Sequence, residues 1–469
     1  MSNPKTGERK PPSHIEVFSD ARDGAYWLNV NGRFVALKKS ELKTHLITMG
    51  MTSDWHAAGQ GNLIEFDWVL WNSQRERLID YAGPLAGHKR GIFTDGSGRK
   101  YLVTDEANGI WAKLEGEKEP KFFSAFVQEL LPDGQWEFLC HWLAIALRSL
   151  RRSDFRPGQV VVFAGQAQCG KSLMQAIITE ILGGRSASPF RYLMDLTQFN
   201  RDLAGAEHWQ IEDPPSTTDT RTRRQFGNKI KEATVNRDFS IHAKGKDALN
   251  LPIFRRVTIS VNDEPENLAV VPPLDRSIED KIFLFQCAQA NNCFKEFRDD
   301  PQQPVLKGLK RVLKTSGEID RKAVWQAILA EIPAIRSWLL REFKTIPTTL
   351  RDDRFVIKAW HHPKLRQELL EMDPSTRFLH IIDDAEFSGE GPHTAFSGKA
   401  SDLERKLRDN NRVSFDVEKL LRFSSACGTY LARIERNYPD RISSRVLDGH
   451  TVWTIQPPSN SNQQAKANE

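Results

Sequence analysis

The chain has 469 residues, 27% of them charged and 39% hydrophobic, with a net charge of +5. That length holds several domains and a substantial core, and the mildly basic balance suits a nucleic-acid partner without requiring one. No apolar run of about eighteen residues occurs, so neither a membrane-spanning helix nor a membrane partner is expected, and the polar opening Met1 to Pro12 does not read as a secretory signal.

In chain order, residues 1–13 read as a disordered tail and 14–120 as an N-terminal α+β accessory domain. Within it, Asn31-Gly32 separates two alternating apolar runs, Tyr26–Val30 and Arg33–Leu37, and so predicts a hairpin. Residues 121–155 form a helical segment with Phe122, Phe126, Leu130, Trp142 and Leu143 at helical spacing. Strands and helices alternate over 156–300, which predicts a mostly parallel sheet. A helical extension over 301–375, a loop-rich linker over 376–399, a compact module over 400–457 and a disordered tail over 458–469 complete the chain. The five cysteines, Cys140, Cys169, Cys287, Cys293 and Cys427, form no CxxC pair and are odd in number, as expected of reduced thiols in a cytoplasmic protein.

The most specific motif is Gly165-Gln166-Ala167-Gln168-Cys169-Gly170-Lys171-Ser172, which fits G-x-x-x-x-G-K-[ST] at every position. The apolar run Val160 to Ala164 before it reads as a buried strand, and Ser172 to Ile178 opens a helix. Glycines let backbone N–H groups curl around phosphate oxygens at the positive end of a helix. Lys171 supplies a point charge for the β- and γ-phosphates of ATP, and the Ser172 hydroxyl a ligand for Mg²⁺.

Carboxylates are needed at the end of a neighbouring strand. His208 to Asp213 ends in the pair Glu212-Asp213 and is stopped by Pro214-Pro215. One carboxylate would hold Mg²⁺, with Asp213 the ligand assigned here, and the other would polarise water. The alternative is a surface acidic turn. Val257 to Val261 is a third strand, ended by Asn262, whose amide suits orienting water or sensing the γ-phosphate.

This ordered set, packed between Gly165 and Asn262, resembles the superfamily 3 helicases of viruses, phages and plasmids, and in particular the primase-helicase branch of phages and mobile elements. The likeness covers roughly residues 100–300, and segments such as Arg156-Pro157-Gly158-Gln159 and Pro272 to Ile282 carry it. The resemblance implies that Glu212-Asp213 are the Walker B pair and Asn262 the sensor. It implies that Lys229 to Leu251 carries a β-hairpin into the pore of a ring, placing His242, Lys244 and Lys246 on DNA; a solvated basic loop is the alternative. It further implies that Arg276 reaches across a subunit interface to the neighbour's γ-phosphate. Arg255 and Arg256 are rivals for that role, and pairing of Arg276 with Glu279 or Asp280 is the other alternative. Two departures stand out. Residues 1–150 hold neither a polymerase-type acidic pair nor a zinc-ligand cluster, and the Walker B strand is only half apolar.

In the C-terminal module, a helix from Ala400, a second helix from about Ser424 to Asn437, and two strands around Asp448-Gly449 fit a winged helix, with Arg433, Arg436, Arg441 and Arg445 among its basic residues. The expected fold is thus an α/β P-loop NTPase (AAA+-like) core with an N-terminal α+β domain and a C-terminal winged-helix domain. The expected function is that of an ATP-dependent DNA helicase or replication initiator, using ATP and Mg²⁺. Its expected partners are single-stranded and duplex DNA, further copies of itself in a hexameric ring, and a separate primase. The rivals are an ATPase module of a defence or packaging machine, and an origin-binding protein that uses ATP as an assembly switch.

Overall fold

The computed structural model describes residues 15–51, 65–114, 119–156, 158–215, 220–243, 248–290, 321–388 and 393–458. The fold is mixed α/β. Its centre is a sheet of five strands: β1 Val160–Gly165, β2 Ser186–Ala187, β3 His208–Glu212, β4 Arg256–Val261 and β5 Ile282–Cys287. They lie in the order β5-β1-β4-β3-β2, and every pairing is parallel.

Parallel strands covered on both faces must be apolar at nearly every position, and β1 and β4 are buried throughout. Successive side chains then enter opposite cores. Val161 and Phe163 join a cluster made with the helices Lys121–Leu130, Gln135–Arg152 and Arg321–Glu342. Val160, Val162 and Ala164 join a second cluster with Trp209, Ile211 and Ile259, closed by Phe226 and Ile230 of the helix Thr220–Val235. Trp209 is fully buried and its indole donates to the Leu203 carbonyl at 3.1 Å; truncating such a residue costs about 3–5 kcal/mol.

Packing redraws three of the expected boundaries. The accessory region 14–120 is split: Val17, Leu28, Leu42, Leu46, Phe66 and Leu70 form a small core of their own, while Tyr81, Leu85, Tyr101 and Val103 belong to a core of the central sheet. The predicted hairpin is present, with Val30 opposite Arg33 and both Asn31 (φ 51°) and Gly32 (φ 78°) left-handed, as a two-residue turn of this kind requires. The helix Arg321–Glu342 is no appended extension, because Ile328, Ile335 and Leu339 fill the first core.

The linker expected at 376–399 is the third difference. Pro374–Glu386 is a helix, capped by the Asp373 carboxylate accepting from Ser375 N and Thr376 N. Phe378, Leu379, Ile381 and Ile382 recur at helical spacing and pack against Leu403, Leu431 and Ile455 of the C-terminal module. Asp383 lies on this helix and pairs with Arg441 at 2.5 Å. The strand Phe396–Lys399, also inside the expected linker, pairs antiparallel with His450–Ile455, whose other neighbour is Ile442–Leu447. Among the described residues no helix is long and apolar enough to cross a membrane.

His208, at the start of β3, is fully buried, with Thr179 Oγ1 at 2.7 Å and Thr258 Oγ1 at 2.8 Å from its two ring nitrogens. Burial pushes its pKa down to about 3. The unfolded chain therefore takes up the proton first, so this stabilisation is complete above about pH 6.5 and is lost as pH falls toward 3. Differential scanning calorimetry across a pH series will show the wild type losing about 2 kcal/mol more than His208→Gln between pH 7 and pH 5. Equal pH slopes for the two proteins would show that this imidazole does not govern the acid response.

Candidate functional site

In an open α/β sheet, ligands bind beyond the carboxyl ends of the strands where the order reverses. Here that place is the end of β1, flanked by β5 and β4. The chain leaves β1 at Gly165, arches through the exposed residues 166–168, and enters the helix Lys171–Ile181. Gly165 and Gly170 are required for different reasons. A Cβ on Gly165 would lie 2.6 Å from the Cys287 carbonyl oxygen, while Gly170 has φ 121° and caps the helix, a conformation costly to any side chain.

Lys171 is 6% exposed. Its Nζ donates to the Gly165 carbonyl at 2.7 Å, the Gln166 carbonyl at 2.8 Å and Asn262 Oδ1 at 3.1 Å. The last contact joins two residues far apart in sequence. Strand register explains it: Val261 pairs with Ala164, so the residue after β4 meets the residues after β1. Register extends the same edge to β3, where Glu212 pairs with Ser260. The backbone then turns at Asp213 (φ 36°), whose N–H donates to the Ser260 carbonyl at 3.1 Å. Glu212 and Asp213 are both exposed at this edge.

Gln175 was not singled out from the sequence. It is fully buried on the helix after the loop, and its Nε2 donates to the Ile211 carbonyl at 3.2 Å and to Thr258 Oγ1 at 2.9 Å. One amide thus fixes the loop's helix to β3 and β4. It shares the buried face of the helix with the polar Lys171 and Thr179, one turn to either side. Gln286 on β5 acts similarly, donating to Asp263 Oδ2 at 3.2 Å beside Asn262.

Cys169 lies in the loop, buried beside Cys287 and 4.0 Å from Lys171 Nζ. The hydrogen bond with the Cys287 thiol pulls the Cys169 pKa down to about 6; burial opposes this and Lys171 assists it. Ser172, at the head of the helix, is exposed. Among the described residues no group of three His, Cys, Asp or Glu gathers as a metal site. Mg²⁺ held with a nucleotide needs only one or two protein oxygens besides phosphate and water, so the expectation for Ser172 and Asp213 does not call for such a cluster.

The arginines separate by burial. Arg255 is 7% exposed, its guanidinium donating to the Ala233 carbonyl at 2.7 Å and to that of Asn236. Arg256 is 1% exposed, 4.7 Å from the Phe254 ring centroid. Burial lowers their pKa values to about 10 and about 9. Both guanidiniums are thus held inside this chain and are not presented at its surface. Arg276 is exposed, and the alternative carboxylates are taken: Glu279 pairs with Arg366 at 3.7 Å, and Asp280 with Lys281 at 2.5 Å and Arg354 at 3.3 Å.

Between β3 and β4 the chain forms the hairpin Asp238–Ile241 with Leu249–Pro252. Phe239, Ile241, Leu249 and Leu251 anchor its inner face in the core. His242 stands where the first strand ends, its N–H donating to Asn200 Oδ1 at 2.7 Å. Lys244 and Lys246 lie outside the described residues. In the C-terminal module, Arg445 is exposed on Ile442–Leu447 and Arg436 exposed on the helix Ala426–Asn437, whereas Arg433 is half-buried.

Together these features define a mixed α/β protein with a phosphate-loop strand, loop and helix at the switch point of a parallel sheet. No family model and no curated protein matches the chain. Two solved apo structures of the C-terminal region of NrS-1 share its fold. One is 14% identical over 95% of this chain and 96% of that one, with a TM-score of 0.54. The other is 15% identical over 95% and 97%, with a TM-score of 0.53. A structure of SCCmec type IV Cch, titled an active helicase, aligns over 87% of this chain at 14% identity, with a TM-score of 0.33, too loose a likeness to carry an argument.

Replacing Lys171 by Ala will lower ATP turnover by at least about 100-fold, the scale of losing one oriented donor at developing charge, with circular dichroism unchanged. Asn262→Ala will lower kcat more than it changes KM. Near-normal kcat in either folded variant would remove that residue from the site.

Proposed function

We propose that the chain is an ATP-dependent DNA helicase or replication initiator of the superfamily 3 type, serving a phage, plasmid or other mobile element. The observation that carries this reading is the contact of Lys171 with Asn262 at the end of β1, on the same sheet edge as Glu212 and Asp213. A strand order of β5-β1-β4-β3-β2, with the acidic strand one place beyond the sensor strand, is what an AAA+-like core requires. Backbone N–H groups of Gly165 to Ser172 would hold the phosphates of ATP, Ser172 and Asp213 the Mg²⁺, and the bound nucleotide would supply the free energy for movement. Lys171 then balances charge during phosphoryl transfer, Asn262 orients the γ-phosphate side of the site, and Glu212 polarises the water.

The hairpin between β3 and β4 supports the pore reading, because its inner face is anchored in the core and His242 stands where its first strand ends, with Lys244 and Lys246 next in the sequence. Lysine contacts to phosphate are blind to sequence, which suits a moving motor. The C-terminal helices, with a three-stranded sheet in the order Phe396–Lys399, His450–Ile455, Ile442–Leu447, support the winged-helix reading. Arg436 and Arg445 are its exposed cations for DNA, with Arg433 beside them, while Arg441 is held by Asp383.

An exposed Arg276 favours a ring, a hexamer in this reading, with sites shared between subunits. Strand separation on a forked DNA substrate with ATP and Mg²⁺ tests the proposal directly; turnover without unwinding would point to another kind of ATPase machine, and ATP binding without turnover to an assembly switch. Mixing Arg276→Ala subunits with Lys171→Ala subunits will restore part of the lost turnover, because some interfaces regain both side chains. No recovery at any mixing ratio, with subunit exchange verified, would place Arg276 outside the neighbour's site.

A further inference from the structure

A concentration of positive charge lies where the C-terminal module meets the central unit. A cleft of about 570 Å³ has Arg224 and Lys231 of the helix Thr220–Val235 on one wall and Arg433 and Arg436 of the helix Ala426–Asn437 on another, with Arg276 on the loop between. Among the described residues none of the four arginines has an ion-pair partner, and Lys231 donates only to the Ser277 hydroxyl. Two carboxylates line the cleft, but both are spent on backbone: Asp275 accepts from Ser277 N at 2.8 Å, and Asp373 caps its helix through Ser375 N at 3.0 Å and Thr376 N at 3.3 Å.

Cations therefore outnumber carboxylates here by five to two. Burial, and then the nearby Arg224, push the Arg433 guanidinium below its usual range, while Tyr430 and Asp373 oppose this. An anion bound in the cleft would relieve the repulsion among the cations. Beyond Arg433 and Arg436, a second hollow of about 750 Å³ continues over the same helix, lined by the hydroxyls of Ser401, Ser424, Ser425 and Thr429. Its one acid, Glu404, is paired with Arg408 at 2.7 Å. The cationic cleft thus opens onto a hydroxyl-lined track and is not a closed pocket. A ligand with anionic groups repeated along a chain fits both parts; a single small anion fits only the first.

We infer that this cleft holds one sugar–phosphate backbone of a nucleic acid, gripped from the motor side by Arg224 and Lys231 and from the C-terminal side by Arg433 and Arg436. The inference rests on the nucleic-acid reading above and changes what the C-terminal helix does. Its arginines work as half of a clamp shared with the motor, so a strand held there lies against the loop that carries Arg276. A separate duplex reader would need only the C-terminal half.

Fluorescence anisotropy on the full chain, with labelled oligo-dT and with a labelled duplex over a salt series, tests this. Arg224→Gln with Lys231→Gln, and separately Arg433→Gln with Arg436→Gln, should each lower the salt slope by about 1.4 units on single strands or about 1.8 on duplex, as loss of two phosphate contacts requires. Whichever substrate shows the drop identifies the strand's source. Arg433→Lys with Arg436→Lys should keep the slope, which separates lost charge from lost folding. The clamp is overturned if only the C-terminal pair matters, or if neither pair does. Loss of turnover confined to assembled protein, with unchanged slopes, would also overturn it, by making the cleft a contact to a neighbouring subunit. Should the wild type bind no nucleic acid, the helicase reading falls too, while slopes unchanged from a wild type that binds leave that reading standing.

Discussion

Lys171 carries a full positive charge into a place where almost no water reaches it, and among the described residues no carboxylate meets it there. Its partners are two backbone carbonyls and the amide oxygen of Asn262, all neutral. Hydrogen bonds to these acceptors compensate the removal of the ammonium from water. None of the three bears the opposite charge that an anion at the loop would supply. Much of the surrounding architecture keeps that lysine in place: glycines where side chains would collide, a helix that begins at the lysine itself, and a sheet whose register delivers Asn262 to it.

The rigidity of this edge comes from buried polar ties as well as apolar packing. Gln175 joins the helix after the loop to β3 and β4, and Gln286 joins β5 to the turn beyond β4. The Gln175 bonds are fully buried and the Gln286 bond is part-buried, and leaving a buried amide donor unpaired costs about 1–3 kcal/mol. Exposed cations follow the opposite logic. Arg255 and Arg256 are consumed by carbonyls and rings inside the fold, and Arg441 by Asp383, whereas Arg224, Arg276 and Arg436 keep their charge available at the surface. Burial, more than position along the chain, decides which arginines can meet a ligand.

The strand, glycine-bounded loop and helix over residues 160–181 were legible in the sequence because their requirements are local. An apolar run long enough for a buried strand, glycines that fix the turn and a helix start with a lysine are contiguous, and each restricts backbone or solvation within a few residues. The Asn31-Gly32 hairpin was legible for the same reason. The expected linker over 376–399 is instead helical in its first half, because Phe378, Leu379, Ile381 and Ile382 at helical spacing bury one face against the C-terminal module.

What the sequence by itself determined is therefore the set of groups: a phosphate loop, an acidic pair and an amide, each ending a strand, and a surplus of arginines. Tertiary structure alone decided which of them meet. The contact of Asn262 with Lys171 depends on β4 lying beside β1, and the tie from Gln175 depends on a helix crossing to β3. The cationic cleft depends on helices some two hundred residues apart facing one another. Strand order and helix docking are set by which apolar faces can be buried together, a property of the whole chain. No local spacing of polar residues records that outcome, because those residues are carried to their places by the apolar packing around them.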